Sequence, residues 1–131
     1  MTDTKPLVLI VQPVRLQGLI WQAVLKSQGI SVIWESADID FADNIRQLKV
    51  ANLALPHLLI VDVALEGFNP FAFCRLCRSD YPDMQVLLTH SGRSELIPSE
   101  RQWAINQGAA DFMAGFQVGS LVSDVTIAVK R

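Results

Sequence analysis

The sequence predicts an α/β fold in which strands and helices alternate along the chain. Five short apolar runs recur, and three of them are continuous rather than alternating, as expected for strands buried on both faces of a parallel sheet. Segments with a helical period or with helix-boundary residues separate the runs. Regular alternation of this kind is typical of a parallel sheet covered by helices on both faces. The predicted strands are 7–11, 31–34, 58–61, 85–88 and 111–113.

Boundary residues locate the first predicted helix. Pro13 is suited to open it, because the missing N–H of proline would have no partner in a first turn. Gly29 is suited to end it, since glycine readily adopts the left-handed conformation that follows many helices. Gly18, inside the helix, costs about 1 kcal/mol relative to alanine. The residues that follow a helical period are Leu16, Ile20, Ala23 and Ser27.

Similar signals predict the second and third helices. The second is expected over 41–52. Asn69 followed by Pro70 is typical of a cap and first turn, and the third helix should end before Pro82. The inner face of the second helix is predicted to contain Phe41, Ile45 and Leu48.

The last two predicted helices have weaker signals. Ser99 with Gln102 forms a possible capping box for a short fourth helix, which Gly108 closes. Residues 90–98 then form a long connection. The fifth helix is expected over 120–130, where Val and Thr are frequent, so its stability must come from packing rather than from intrinsic propensity.

Right-handed crossovers restrict how five such units can be connected. The natural arrangement is a flavodoxin-like (βα)5 three-layer sandwich, with a five-stranded parallel sheet in the order 2-1-3-4-5. We expect one domain over 1–131, with a core of about 6–130. Ligands of such sheets bind at the carboxyl ends of the strands, beside the switch point between strands one and three. The residues predicted at those ends are Gln12, Pro13, Asp62, Thr89 and Gly115.

Composition narrows the possible partners. Hydrophobic residues make up 50% of the 131 residues and charged residues 18%, which argues against disorder. The net charge of −2 and the absence of a basic stripe argue against nucleic acid as a partner. The apolar runs are too short to span a membrane, and the N-terminus lacks a signal-peptide pattern. We therefore expect a cytoplasmic protein with neither a nucleic-acid nor a membrane partner.

Cys74 and Cys77 are the only cysteines, and their spacing invites comparison with metal and redox motifs. A zinc site needs four ligands, and no nearby Cys or His supplies the other two. On a helix the two side chains would share one face. We therefore expect two buried apolar side chains and no metal site.

At this point the chain resembles a response-regulator receiver domain over nearly its whole length. The resemblance rests on the order and spacing of four fragments rather than on any one of them. These fragments are 8–11 as strand one, 58–62 as strand three, 86–89 as strand four and 108–112 leading into strand five.

The resemblance also implies a site, and this chain keeps only part of it. Receivers carry an acidic pair after strand one, an acceptor Asp after strand three, a Ser or Thr after strand four and a Lys after strand five. Asp62 matches the acceptor and Thr89 the hydroxyl. Gln12 and Pro13 replace the acidic pair, and Gly115 replaces the Lys.

These replacements bear on Mg²⁺, which receivers use for phosphorylation and which prefers oxygen ligands in octahedral geometry. Asp62 would be the only carboxylate, and Gly115 offers no ammonium to the phosphoryl oxygens. The resemblance therefore implies a pseudo-receiver: no catalytic residues, no cofactor, weak or absent Mg²⁺ binding, and a role as a non-enzymatic protein-interaction module.

The same resemblance places the interaction surface on helix four, strand five and helix five. Trp103 lies on the fourth helix, and an exposed Trp there would be a candidate hot spot; the alternative is an inward-facing core residue. Phe112 takes the position of the aromatic switch residue, without a hydroxyl, and Phe116 stands where receivers usually have Pro. Both are expected beside this interaction surface, where they could extend an apolar patch. Expected partners are a signalling kinase, an effector, a fused domain or a second copy of the chain.

Two other functions stay open. Asp62 and Thr89 could form an atypical but active phosphoacceptor, with a partner kinase supplying the missing charges. Alternatively, the fold could sense a small molecule, although Gln12 and Pro13 stand where nucleotide-binding folds have a Gly-rich loop. His90, at the mouth of the site, could pair with Asp62 and respond to pH.

Overall fold

The computed structural model describes residues 6–35 and 40–116. In this part of the chain five parallel strands alternate with four helices, and the sheet order is β2-β1-β3-β4-β5, as predicted. The predicted fifth helix lies outside the described residues. The elements are β1 Leu7–Val11, α1 Arg15–Ser27, β2 Ser31–Glu35, α2 Phe41–Val50, β3 Leu58–Asp62, α3 Pro70–Asp80, β4 Gln85–His90, α4 Pro98–Asn106 and β5 Asp111–Ala114.

The four described helices are divided unequally between the two faces of the sheet. Phe41 and Ile45 of α2, with Phe73 and Cys74 of α3 and Ala104 of α4, bury one face in the larger core. On the other face α1 packs over a smaller core formed by Val8, Ile10 and Ile60. The continuous apolar strands supply both cores, because successive side chains point to opposite faces.

The first helix begins later than predicted. Pro13 precedes α1, and Val14 is the residue before its first turn. The residues predicted to form the inner face lie mainly on the outer side of the helix, since Leu16, Ala23 and Ser27 are exposed. The side that meets the smaller core and β2 contains Gly18, Trp21 and Leu25.

Gly18 accounts for that orientation. A Cβ atom at this position would lie 2.5 Å from two ring carbons of Trp34. The cost of glycine in a helix is therefore offset by close contact between α1 and the edge strand β2. Trp34 is held there by a hydrogen bond from its Nε1 to the carbonyl oxygen of Gln12, at 3.3 Å.

Side-chain caps fix the starts of α2 and α3. Asp40 accepts a hydrogen bond from the backbone N–H of Asp43 at 3.0 Å, ahead of α2. Asn69 accepts from the backbone N–H groups of Phe71 and Ala72, both at 3.1 Å, and Pro70 occupies the first turn of α3 as predicted. The second helix ends at Val50, two residues before the predicted end at 52.

The predicted capping box at Ser99 is wrong. The fourth helix starts at Pro98, and Ile97 stands at the cap position without a capping side chain. Instead Glu100 reaches back and accepts a hydrogen bond from the backbone N–H of Ile97 at 3.2 Å. Proline sets the start here, because its fixed φ suits a first turn.

Cys74 and Cys77 lie on the inner face of α3 as free, fully buried thiols. Burial raises the pKa of Cys74 to about 11 and that of Cys77 to about 12. They act as small apolar side chains, as predicted. Of the helices described, none has the length and apolar character that crossing a bilayer requires.

Candidate functional site

The site is built around Asp62, the last residue of β3, whose side chain is 0% exposed. One carboxylate oxygen, Oδ1, accepts a hydrogen bond from the backbone N–H of Ala64 at 2.9 Å. The other, Oδ2, accepts from Gln12 Nε2 at 3.2 Å, Thr89 Oγ1 at 2.9 Å and the backbone N–H of Ser91 at 2.8 Å. Four protein donors therefore satisfy this buried acid, which explains how it is tolerated in the core.

Gln12 joins the end of β1 to Asp62. Its Nε2 donates to Asp62, while its Oε1 accepts from the backbone N–H of Val14 at 3.0 Å. The residue is 3% exposed, so both ends of the amide are used inside the protein. Pro13, its neighbour, is exposed and brings no polar side chain to the site.

Thr89 enters the site from β4. It pairs directly with Asp62 in the sheet register, and the side chains therefore share one face at the strand ends. Thr89 is 2% exposed, and its hydroxyl donates to Asp62. Ser91 contributes its backbone N–H to the same oxygen. The carboxylate thus binds both the end of β4 and the first residue of the β4–α4 loop.

Gly115 closes the site from the side of β5. A Cβ atom at this residue would lie 2.8 Å from both the Cα and the carbonyl oxygen of Ser91. The backbone N–H of Gly115 donates to the carbonyl oxygens of His90 and Arg93, both at 2.9 Å. The two loops meet backbone to backbone, so a side chain at position 115 requires one of them to move.

The residues of this site do not fit a Mg²⁺ ion. Among the described residues Asp62 is the only carboxylate in it, and both of its oxygens are engaged with protein donors. Gln12 Oε1 is also engaged, with Val14. In the described residues no three His, Cys, Asp or Glu side chains come together as a possible metal site. A hard cation that needs about six oxygen ligands would have to break several of these bonds.

His90 does not pair with Asp62, whose oxygens are taken by other donors. Its backbone carbonyl accepts from Gly115, as above, and its side chain lies over Gly92. Its Nδ1 is buried and has no hydrogen-bond partner among the described residues. The ring therefore flanks the Asp62 site without joining its hydrogen-bond network.

A second feature lies on the surface between α3 and α4. The Trp103 side chain is 49% exposed, and its ring packs edge-to-face on Phe71 with centroids 4.4 Å apart. Phe112 lies behind Phe71, 6.4 Å away, and is buried. With Ser99 and Glu100 these rings line an open depression of about 330 Å³. We name this surface, formed by Phe71, Ser99, Glu100, Trp103 and Phe112, the Trp103 surface.

Sequence reasoning did not find Phe71, because only the folded α3–α4 contact brings it under Trp103. It also misplaced Phe116. That ring packs on Trp21 of α1, with centroids 5.0 Å apart, rather than beside Trp103. The Gln17 side chain forms two hydrogen bonds with the backbone of Phe116. Its Oε1 accepts from the Phe116 N–H at 2.8 Å, and its Nε2 donates to the Phe116 carbonyl oxygen at 3.0 Å.

Two ion pairs border the Trp103 surface. Arg93 pairs with Glu100, and its hydrogen bond lowers the pKa of that carboxyl. Arg101 binds both oxygens of Asp111, at 2.6 and 3.0 Å, and lowers the pKa of Asp111. The first pair joins the β4–α4 loop to α4, and the second joins α4 to β5.

Comparison with known proteins supports the fold. No protein-family model matches the sequence, and no curated protein matches it significantly. Solved structures do match. A response regulator from Thermotoga maritima is 21% identical, with a TM-score of 0.65, covering 98% of this chain and 100% of that one.

Two further structures agree. The signal receiver domain of the putative response regulator NarL from Mycobacterium tuberculosis is 22% identical, with a TM-score of 0.66 and 98% coverage of both chains. The beryllofluoride-activated NtrC4 receiver domain dimer is 20% identical, with a TM-score of 0.64, covering 93% of this chain and 94% of that one. The chain therefore has the flavodoxin-like receiver fold.

Proposed function

We propose that this chain is a receiver-type signalling domain that has lost Mg²⁺-dependent aspartyl phosphorylation and works as a protein-interaction module. The receiver fold supports the signalling role, and the chemistry of the Asp62 site supports the loss. On this proposal the chain is one cytoplasmic domain, not an enzyme. Its partner is a kinase, an effector, a fused domain or a second copy.

The observation that carries the proposal is the saturation of Asp62. An acceptor must present a free oxygen to an incoming phosphoryl group, and a metal must neutralise the charge that develops. Here Oδ2 already accepts from Gln12, Thr89 and Ser91, and Oδ1 accepts from Ala64. Opening either oxygen would leave buried donors unpaired, at about 1–3 kcal/mol for each donor.

Gly115 supports the same conclusion independently. The close backbone contact with Ser91 leaves no room for a side chain, so the position cannot supply a cation without rearrangement. In the described part of the site no Lys or Arg side chain bonds to Asp62. Transition-state charge on a phosphoryl group would therefore lack the electrostatic stabilisation on which such transfers depend.

The test is an amide NMR titration of the protein with Mg²⁺ and then beryllofluoride. We expect no site-specific shifts at Asp62, Thr89 or Phe112. A matched variant with Gln12→Asp and Pro13→Asp restores the acidic pair that receivers carry, and it should gain a Mg²⁺ response at Asp62. Shifts in the unmodified protein that spread from Asp62 to Phe112 would falsify the proposal.

The Trp103 surface is the proposed site of association. It combines an exposed Trp, an aromatic neighbour packed against it and an open depression, which are features of a binding hot spot. An aromatic ring held by another ring loses little conformational freedom on binding. Because Phe71 belongs to α3, this surface is centred between α3 and α4 rather than on β5.

One observation favours the second candidate, an atypical phosphoacceptor. The Thr89 hydroxyl lies 2.9 Å from Asp62 Oδ2. The candidate acceptor carboxylate and the strand-four hydroxyl that receivers pair with it are therefore already in contact. The discriminating experiment is intact-mass analysis after incubation with acetyl phosphate and Mg²⁺, with Asp62→Asn as the control. Addition of one phosphoryl group to the unmodified protein but not to the control would establish the acceptor.

A further inference from the structure

The second strand forms one edge of the sheet. Among the described residues β2 pairs only with β1, in an unbroken register from Leu7 opposite Ser31 to Val11 opposite Glu35. The backbone N–H and C=O groups of alternate residues in β2 therefore point away from β1. An edge of this kind can bind a further strand through its main chain.

The two edges of the described sheet differ in the features that keep edge strands from pairing. The other edge strand, β5, has four residues and begins with Asp111, which forms an ion pair with Arg101. By contrast β2 has five residues, with no Lys, Pro or bulge, and its one charged residue, Glu35, is the last. Shortness, charge, proline and bulges are the usual protections of an edge, so β2 is much less protected than β5.

The side chains of β2 add apolar surface to this edge. Val32 and Trp34 pack against the smaller core but are only partly buried. Ile33 points to the opposite face of the sheet, since side chains alternate along a strand, and it is 46% exposed. Trp34 is held in place by its hydrogen bond to Gln12. The edge therefore presents apolar side chains on both faces beside its outward-pointing backbone groups.

The sequence of β2 is complementary to itself when two copies run antiparallel. With Ile33 on the two-fold axis, Ile33 faces its own copy, Val32 faces Trp34 and Ser31 faces Glu35. An aromatic side chain opposite a β-branched one is a favourable cross-strand pair, and a serine hydroxyl can donate to a carboxylate. The two Glu35 carboxylates lie about 14 Å apart in this arrangement, beyond the Debye length of about 8 Å, so they repel each other little.

We propose that two copies of the chain associate through β2, antiparallel about a two-fold axis at Ile33, so that one sheet runs through both copies. About four to six backbone hydrogen bonds cross the axis. The same edge is used on both copies, so the association closes at a dimer. This dimer goes beyond the function proposed above, because it involves neither Asp62 nor the Trp103 surface and leaves that surface available to a different protein.

Sedimentation velocity of the full chain over a concentration series tests the proposal. We expect a monomer–dimer equilibrium in the unmodified protein. Ile33→Lys places two ammonium groups at the axis and should weaken the dimer at least about tenfold in Kd. Leu76→Lys, at a residue of α3 that is 45% exposed, is the matched control and should leave the dimer unchanged.

Two results of this experiment would overturn the proposal. One is an unmodified protein that stays monomeric at a concentration on the order of 1 mM. The other is a dimer that Trp103→Ala dissociates and Ile33→Lys does not, since the Trp103 surface would then be the interface. Circular dichroism shows whether each variant keeps its fold.

Substitutions at Ser31 test the register while keeping Ile33 intact. Ser31→Lys brings a cation opposite Glu35 of the other copy, and Ser31→Glu brings a second carboxylate there. The first should strengthen the dimer and the second should weaken it, each by about twofold to fivefold. Because Ser31 is exposed, neither substitution should disturb the fold. Equal dimer affinities of the two variants would contradict the antiparallel register.

Cross-linking gives a readout of the axis itself. A disulfide requires its two Cβ atoms to lie within about 4.5 Å, and only a residue near the axis meets its own copy at such a distance. Ile33→Cys should therefore form a disulfide between chains much faster than Ser31→Cys, whose copies lie about 14 Å apart. Cys74 and Cys77 are buried with raised pKa values and should react slowly. Equal rates for the two variants would overturn the proposed axis.

Discussion

At the scale of single residues, Asp62 serves as a structural anchor whatever its role in signalling. Its carboxylate ties the end of β1, the loop after β3 and the loop after β4 to one point through Gln12, Ala64 and Ser91. If the acid is removed, each of its four donors is left buried without a hydrogen-bond partner. The network is therefore stable only when the carboxylate and all its donors are present.

Replacing Asp62 with Ala should therefore destabilise the protein by about 3 kcal/mol or more, since several buried donors lose their acceptor together. Urea unfolding monitored by circular dichroism measures the change. Asp83→Ala removes an exposed acid and serves as the control, with an expected change near zero. A loss below about 1 kcal/mol for Asp62→Ala would mean that water replaces the carboxylate.

Gly115 gives a second prediction at this scale. Gly115→Ala places a Cβ atom against the backbone of Ser91, at 2.8 Å from its Cα, and the expected cost is about 1–3 kcal/mol. Gly92→Ala is the control, because its Cβ would meet only the His90 ring at 3.6 Å, an ordinary contact. Thermal unfolding of both variants makes the comparison, and equal stability would contradict the close approach of the two loops.

At the scale of elements, the first helix shows how tertiary contacts override a local pattern. Leu16, Ile20 and Ala23 form a regular period, and yet the helix turns Gly18 and Trp21 inward. The reason is steric: only glycine lets the helix approach the Trp34 ring, and that approach rotates the rest of the helix. The spacing of apolar residues in one sequence does not show which of two apolar helix faces is buried, because that depends on the side chains packed against each face.

Gly18→Ala is therefore expected to destabilise the protein, although alanine is intrinsically better in a helix by about 1 kcal/mol. Trp34 cannot move aside freely, because its Nε1 is bonded to Gln12. In a Trp34→Leu background the same substitution should become neutral or stabilising. A double-mutant cycle, measured by urea unfolding, gives the coupling free energy between positions 18 and 34. Additive changes in the free energy of unfolding would contradict the close contact between them.

At the scale of the whole molecule, the strands and the position of Asp62 were predictable from local signals, and the strand order followed from the rules that govern how parallel strands are connected. Continuous apolar runs mark buried strands, and the acid that ends one of them must lie at a carboxyl edge. The contacts of Gly115 and Gln17 were not predictable. Gln17 and Phe116 are 99 residues apart. No local sequence pattern indicates that the Gln17 side chain will bind the Phe116 backbone, or that the backbones of Gly115 and Ser91 will come into contact.

Association through the Trp103 surface is a prediction about the whole molecule. If the chain self-associates there, Trp103→Ala should weaken the dimer by about 2 kcal/mol or more, roughly thirtyfold in Kd, while leaving the fold intact. Sedimentation velocity over a concentration series measures this. Leu76→Ala, an exposed apolar residue on α3, is the control. A dimer unaffected by Trp103→Ala would exclude this surface as its interface.

Cys74 and Cys77 report on opening of the larger core. Their pKa values of about 11 and about 12, against an ordinary 9.0, leave about a hundredfold less thiolate at Cys74 near pH 8 than in an unfolded chain. Since both folded values are raised, the unfolded state ionises first. The free energy of unfolding should then fall as pH rises from 9 towards 11.

Alkylation in the native state should therefore be slow at both thiols and should proceed at one common rate, set by the opening of the core that they share. Mass spectrometry after timed iodoacetamide exposure measures the two rates separately. Ser79→Cys provides an exposed thiol on the same helix α3 and should react at once. Different rates at Cys74 and Cys77 would show that α3 opens locally, and the larger core would then not act as one cooperative unit.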